Sequence, residues 1–146
     1  MSIIKITKQF SFEMAHALRN YDGLCRNIHG HSYKMDITLA GQPLHDETSP
    51  KNGMVMDFGD LKRLVNEEII SLLDHALVLN AKMDPQLVET LKQHYEKIVV
   101  VDFQPTTENL LSFIAGKLQQ RLPGTVALAC VRLRETDTSY AEWMPE

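Results

Sequence analysis

Cysteine is scarce in this chain: Cys25 and Cys130 are the two present among 146 residues. Two thiols cannot build a disulfide framework, and they read as reduced cysteines in a reducing compartment. Basic residues are short as well. Fifteen Lys and Arg stand against nineteen Asp and Glu, a net charge of −4 with histidine neutral. Nucleic-acid binders usually carry a basic footprint, so that class is not expected, although a small basic patch around an anionic ligand is compatible with the balance. No apolar run approaches the roughly 18 residues of a membrane span. No apolar segment follows Lys5 and Lys8 as it would in a secretory leader. The expected location is the cytoplasm, with no membrane partner. Seven glycines and six prolines cluster into no linker, and there is no internal repeat or low-complexity tract. One domain over residues 1–146 is expected, a usual domain size, able to bury about two thirds of its unfolded surface.

What is present is periodicity. Residues 3–17 read as a strand, with Ile4, Ile6, Phe10, Phe12, Met14 and His16 on one parity. Residues 18–28 hold Asn20, Asp22, Gly23 and Asn27 and read as a loop. Residues 29–40 alternate again, with His29, His31, Tyr33, Met35, Ile37 and Leu39 on one face. After a turn-rich connection, Asp57 caps a helix whose stripe is Leu61, Leu64, Val65, Ile69, Leu72 and Leu73. Residues 85–97 read as a short polar helix and 98–103 as a short strand. Thr106 and Thr107 open a second long helix with Leu111, Ile114, Leu118 and Leu122 on its core face. Residues 125–136 and 140–144 read as the last strands. Strand pairs at each end with helices between them predict an α+β domain, an antiparallel sheet with helices on one face.

The histidines carry the chemistry. His29 and His31 flank Gly30, and side chains at i and i+2 of a strand share a face about 6.7 Å apart. If the first two strands pair as a hairpin, His16 comes opposite His29 or His31. Three histidines with one free position is the pattern of a catalytic zinc site. Copper, nickel and iron also accept imidazole, and a closed structural site with Cys25 as fourth ligand is the other arrangement. Cys25 lies four positions before His29, beside Arg26. A thiol near a dication and a guanidinium has a lowered pKa and could act as a base on a carbon-bound proton; an inert loop cysteine is the plainer reading. Asp74-His75 reads by itself as a polar helix terminus, and facing the two side chains together requires an irregular backbone. Thr106-Thr107-Glu108 reads as a helix start with an acid favoured by the dipole. Glu135 closes the apolar parity Ala127, Ala129, Val131 and Leu133, and could accept two N–H donors from a heterocycle such as an aminopyrimidinone. Cys130 reads as a small core residue.

Together these pieces resemble the 6-pyruvoyl-tetrahydropterin synthase / 6-carboxytetrahydropterin synthase family. The carrying motifs are Phe12-Glu-Met-Ala-His16, Cys25-Arg-Asn-Ile-His-Gly-His31, Gly53-Met-Val-Met-Asp-Phe58 with Asp60-Leu-Lys62, Leu73-Asp-His75, Pro105-Thr-Thr-Glu-Asn109 and Glu135-Thr-Asp137. The resemblance implies the tunnelling fold, a ββααββ unit whose four-stranded sheet joins others in a trimeric barrel, two barrels stacking into a homohexamer. It implies zinc on His16, His29 and His31, catalytic roles for Cys25, Asp74 and His75 with the Asp–His pair reaching a neighbouring subunit, Glu135 as pterin anchor, and Thr106, Thr107 and Glu108 lining the pterin pocket. The implied substrate is 7,8-dihydroneopterin triphosphate. The spacing from Cys25 to His29 resembles the carboxytetrahydropterin branch of the queuosine pathway, which releases acetaldehyde and triphosphate. Gly53-Met-Val-Met56, Thr106-Thr-Glu-Asn109 and Glu135-Thr-Asp137 also resemble the pyruvoyl branch, which eliminates triphosphate. A zinc-stabilised pterin-binding protein without catalysis and a zinc hydrolase are the readings from other classes. An extra stretch at about residues 82–101 departs from the short bacterial pattern and reads as a surface elaboration. Lys34, Arg26, Arg132 and Arg134 are the basic residues on hand for a triphosphate.

Overall fold

The computed structural model describes residues 2–146, Met1 lying outside it. Two long strands, β1 (Ile4–His16) and β2 (His29–Gly41), pair antiparallel along their whole length, with Ile4 opposite Gly41 and His16 opposite His29. Alternation divides their residues between two faces. Phe12, Met14, Tyr33, Met35, Ile37 and Leu39 are buried on one, while Gln9, Ser11, Glu13, Ser32 and Lys34 are exposed on the other.

Near the C-terminus β5 (Val126–Thr136) pairs antiparallel with β2, and β6 (Ser139–Trp143) with β5. These four strands are the expected antiparallel unit. Two short strands, β3 (Ala76–Asn80) and β4 (Ile98–Val101), extend it in parallel on the β1 side. The sheet therefore has six strands in the order β4-β3-β1-β2-β5-β6 and is mixed. The pairing also corrects one parity. Cys130 faces Thr38 and Leu128 faces Leu39, so Ala129 is the extra residue of a bulge. The bulge turns Leu128 inward and leaves Ala127 exposed, so the apolar face runs Leu128, Val131, Leu133 instead of through both alanines.

The helices cover the inward face. Helix α1 (Phe58–Val65) runs without a break into a π-helical turn (Asn66–Ile70) and a last turn, α2 (Ser71–Leu73). The Asp57 carboxylate caps it by accepting from Gly59 N–H at 2.7 Å. Of the predicted stripe, Leu61, Leu64, Val65, Ile69 and Leu73 are buried and Leu72 is half-buried. Helix α4 (Thr107–Arg121) buries Leu110, Leu111, Ile114, Ala115 and Leu118 and packs on β5 and β6. Arg121 pairs with Glu67 and Glu68 and ties α4 to the π turn. One apolar cluster joins both helices to the sheet. Residues 82–101 fold as α3 (Pro85–His94), which buries none of its residues, and β4. Since β4 is a strand of the sheet, the extra stretch is more than a surface elaboration.

Candidate active site

The β1–β2 register builds the site. His16 ends β1, His29 opens β2 directly opposite, and His31 follows on the same face. One ring nitrogen from each lies within 4.8 Å of the others. His16 Nδ1 donates to the Pro105 carbonyl at 2.7 Å, and His29 Nδ1 donates to the Asn27 carbonyl at 2.7 Å. With both Nδ1 atoms protonated, both Nε2 atoms present lone pairs, and these stand 3.1 Å apart. Two acceptors so close repel each other unless an electrophile lies between them. His31 Nε2 is buried and has no hydrogen-bond partner. Burial is the largest influence on His16 and lowers its pKa, favouring the neutral imidazole that ligates metals. Backbone carbonyls behind ligating histidines are the usual orienting shell. The three residues thus fit a divalent cation, and an all-imidazole set suits zinc.

Glu135 stands at the edge of this cluster. One carboxylate oxygen lies 3.7 Å from His16 Nε2 and 3.6 Å from His31 Nε2. A second bulge puts it there: Arg134 faces Tyr140 and Thr136 faces Ser139, so Glu135 is the extra residue. Bulges re-aim side chains in this way. Below His31, on the same face, lies Tyr33, with ring centroids 5.6 Å apart. Burial, and after it the Glu135 charge, push the Tyr33 phenol above its ordinary pKa, so it remains a neutral O–H donor. Tyr33 is a residue that sequence reasoning passed over as one more member of an alternating face. The carbonyls of Asn27 and Pro105 were equally invisible, being backbone.

The remaining expected residues are placed as follows. Cys25 is exposed on a 3₁₀ turn (Leu24–Arg26) in the loop joining the two histidine-bearing strand ends. Its carbonyl accepts from Leu18 N–H at 3.0 Å, folding that loop back toward His16. Asp74 and His75 have the irregular backbone that their pairing requires, with His75 at φ +64°. Asp74 accepts from Glu13 N–H at 2.9 Å, and its other oxygen lies 3.2 Å from His75 Nδ1. The Glu13 N–H, and after it His75, hold the Asp74 carboxyl below its ordinary pKa. The His75 side chain is 77% exposed. It lines a hollow with Glu13, Ala15, Gly30, Ser32 and the triad's own His31.

Thr106 caps α4 by accepting from Asn109 N–H at 3.2 Å; Thr107 is buried and Glu108 exposed. These residues follow the carbonyl that holds His16. The Gln104 side-chain amide bonds both backbone groups of Arg19, at 3.2 and 2.8 Å, and fastens this wall to the end of β1. Lys34, Arg132 and Arg134 line a separate hollow on the outward face, the two guanidiniums 4.5 and 4.7 Å from the Tyr140 ring. No helix among the described residues is long and apolar enough to cross a membrane.

Known proteins are similar to this chain. Residues 5–146 match the family described as 6-pyruvoyl tetrahydropterin synthase. The 6-carboxy-5,6,7,8-tetrahydropterin synthase of Haemophilus influenzae is 35% identical over 97% of this chain and 99% of its own. The 6-pyruvoyl tetrahydrobiopterin synthase of Pongo abelii is 32% identical over 97% and 92%. Among solved structures, an uncharacterized protein from Wolinella succinogenes superposes at a TM-score of 0.79 with 24% identity over the full length of both chains, a likeness of fold. The 6-pyruvoyl tetrahydropterin synthase of Caenorhabditis elegans superposes at 0.68 with 26% identity over 100% of this chain and 98% of that one. With the histidine triad, its adjoining glutamate and the mixed sheet all lying within the matched span, the chain belongs to the 6-pyruvoyl tetrahydropterin synthase family.

Proposed function

We propose that the protein is a zinc-dependent 6-carboxy-5,6,7,8-tetrahydropterin synthase. It would convert 7,8-dihydroneopterin triphosphate and water to 6-carboxy-5,6,7,8-tetrahydropterin, acetaldehyde and triphosphate, a step toward queuosine-type deazapurines in the cytoplasm. The carrying observation is the 35% identity to the Haemophilus influenzae synthase over nearly the full length of both chains. His16, His29 and His31 would hold the metal. Bound there, zinc supplies Lewis-acid stabilisation of negative charge developing on substrate oxygens.

The chain's own groups do the rest. Glu135 accepts the N–H pair of the pterin's aminopyrimidinone ring, orienting the side chain of the substrate toward the triad. The Cys25 thiolate takes a proton from the substrate carbon. Asp74 holds His75 in one tautomer, and His75 relays protons at the site of a neighbouring subunit, consistent with its exposure. Thr106, Thr107 and Glu108 line the pterin pocket. A homohexamer with active sites between subunits is the assembly this division of labour calls for.

The similarity to the Pongo abelii synthase supports a second reading, elimination of triphosphate to a pyruvoyl product. Incubating the metal-loaded protein with 7,8-dihydroneopterin triphosphate separates them. Acetaldehyde with a carboxypterin is the expected outcome, a pyruvoylpterin moves the protein to the other branch, and absence of turnover refutes both. A Cys25→Ala variant that keeps its metal and fold while losing turnover excludes the closed structural site in which Cys25 is a ligand.

A further inference from the structure

The corner that carries His75 is held from two sides, and one of them belongs to the extra stretch. His75 sits at φ +64°, a left-handed conformation that a residue with a side chain keeps where its surroundings enforce it. From β1, the Glu13 carbonyl accepts from His75 N–H at 2.6 Å, and Glu13 N–H donates to the Asp74 carboxylate at 2.9 Å. From the other side comes Lys97, the residue before β4. Its carbonyl accepts from Leu77 N–H at 3.0 Å, which fixes its place just beyond His75. Its ε-ammonium reaches back and donates to the Asp74 carbonyl, just before His75. That carbonyl stands where the continuous helix α1–α2 ends and Asp74 has turned extended, and the last carbonyls of a helix lack partners of their own. A cation there also meets the negative end of the helix dipole. Lys97 is half-buried, whereas the exposed His75 ring has little packing to orient it. The backbone corner and Asp74 decide where the imidazole points.

We propose that Lys97 is a positioning residue for the Asp74–His75 pair: its bond to the Asp74 carbonyl holds the corner in the left-handed turn that sets His75 Nδ1 against the Asp74 carboxylate, 3.2 Å away. The Asp74 carbonyl and the His75 N–H are the two ends of one planar peptide unit. Glu13 grips the N–H end and Lys97 the carbonyl end. With both ends bonded the plane cannot rotate, and its orientation sets the φ of His75. Residues 82–101 thereby gain a task at the site, since they deliver Lys97 to this corner. Lys97 and His75 also line one hollow, so direct contact with substrate is the competing role, and kinetics separate the two. The kinetic part of the inference rests on the catalytic role proposed above for His75; the geometric part does not.

Two measurements on the metal-loaded protein test it. The first is NMR of isotope-labelled side chains and needs no substrate. In the unaltered protein, Lys97 Nζ is expected to show scalar coupling to the Asp74 carbonyl carbon, and neutral His75 to be the Nδ1–H tautomer. A freely rotating, uncoupled Lys97 ammonium overturns the contact before any variant is made. Lys97→Met is expected to mix the two His75 tautomers, and Lys97→Arg, which keeps a charged donor, to restore the wild-type one. An unmixed Nδ1–H tautomer in Lys97→Met overturns the positioning role. The second is steady-state kinetics with 7,8-dihydroneopterin triphosphate. Lys97→Met is expected to lower kcat by roughly tenfold or more, the effect of a misplaced catalytic group, with KM and metal content unchanged. A raised KM at wild-type kcat makes Lys97 a substrate contact and overturns the proposal. Absence of turnover in the unaltered protein counts against the pterin reading alone, and the tautomers still decide the role of Lys97.

Discussion

His31 holds a buried nitrogen bonded to nothing, and leaving such an acceptor unpaired costs about 1–3 kcal/mol. His16 and His29 add two lone pairs 3.1 Å apart. The site is therefore destabilised without a cation and relaxed with one. Replacing His31 or His16 with alanine is expected to lower metal affinity by well over about tenfold, the cost seen when merely a group that orients a ligand is lost; elemental analysis after dialysis checks it. Removal of metal by chelation is expected to lower the melting temperature, as loss of any native-state ligand does. Asp74 makes a second residue-scale prediction. Its carboxyl is held below the ordinary 3.8 by the Glu13 N–H and by His75. A depressed folded-state pKa contributes stability above the unfolded value that is lost as pH falls through the folded one. The stability gap between wild type and Asp74→Asn is expected to be constant near neutrality and to close below pH 3.8, readable from denaturation midpoints across pH. At this scale the clustering of the three histidines was legible because strand alternation and the HxH spacing are both carried by side-chain identity. The roles of Asn27 and Pro105 were not, since a carbonyl belongs to every residue.

Among the elements, α4 depends on its first turn. Thr106 caps it, and its neighbour Pro105 holds His16. Thr106→Ala is expected to cost about 1 kcal/mol, the usual value of a lost N-cap, and to loosen the wall behind His16 along with the helix. Amide exchange at Asn109 reports the first effect, and a shift in metal affinity the second. The long elements β1, β2, α1, α4 and β5 follow from periodicity because each buries one face against the same core. β3 does not. Its five residues, Ala76–Asn80, show no alternation, since a central parallel strand is buried on both faces. It also follows the helix with no glycine or proline; the break is made by His75 at positive φ. The bulges at Ala129 and Glu135 were hidden for a related reason. Nothing in the residue types marks an extra residue, and only the partner strand's register reveals it.

For the molecule as a whole, the proposed active site is divided between subunits, the triad with Cys25 from one and the exposed His75 from another. On that reading, chains lacking different parts complement each other. Inactive Cys25→Ala and His75→Ala variants, unfolded and refolded together, are expected to recover activity toward about a quarter of wild type, the share of sites that random mixing in a symmetric assembly leaves intact. Each variant refolded alone recovers none. No recovery in the mixture places Cys25 and His75 in the same chain's site. The α+β class and the order of strands and helices, β3 apart, could be read from the chain because hydrophobic pattern decides them, whereas a site divided between copies lies beyond any single sequence. The hairpin register has one more consequence. All three candidate ligands fall between residues 16 and 31, and closing so short a loop costs little entropy. During synthesis the cation can be captured by a nascent chain that has yet to make α4. Pro105 and Glu135, which orient and adjoin the triad, are synthesised later, so on the proposed reading the residues that hold the metal precede those that complete the site.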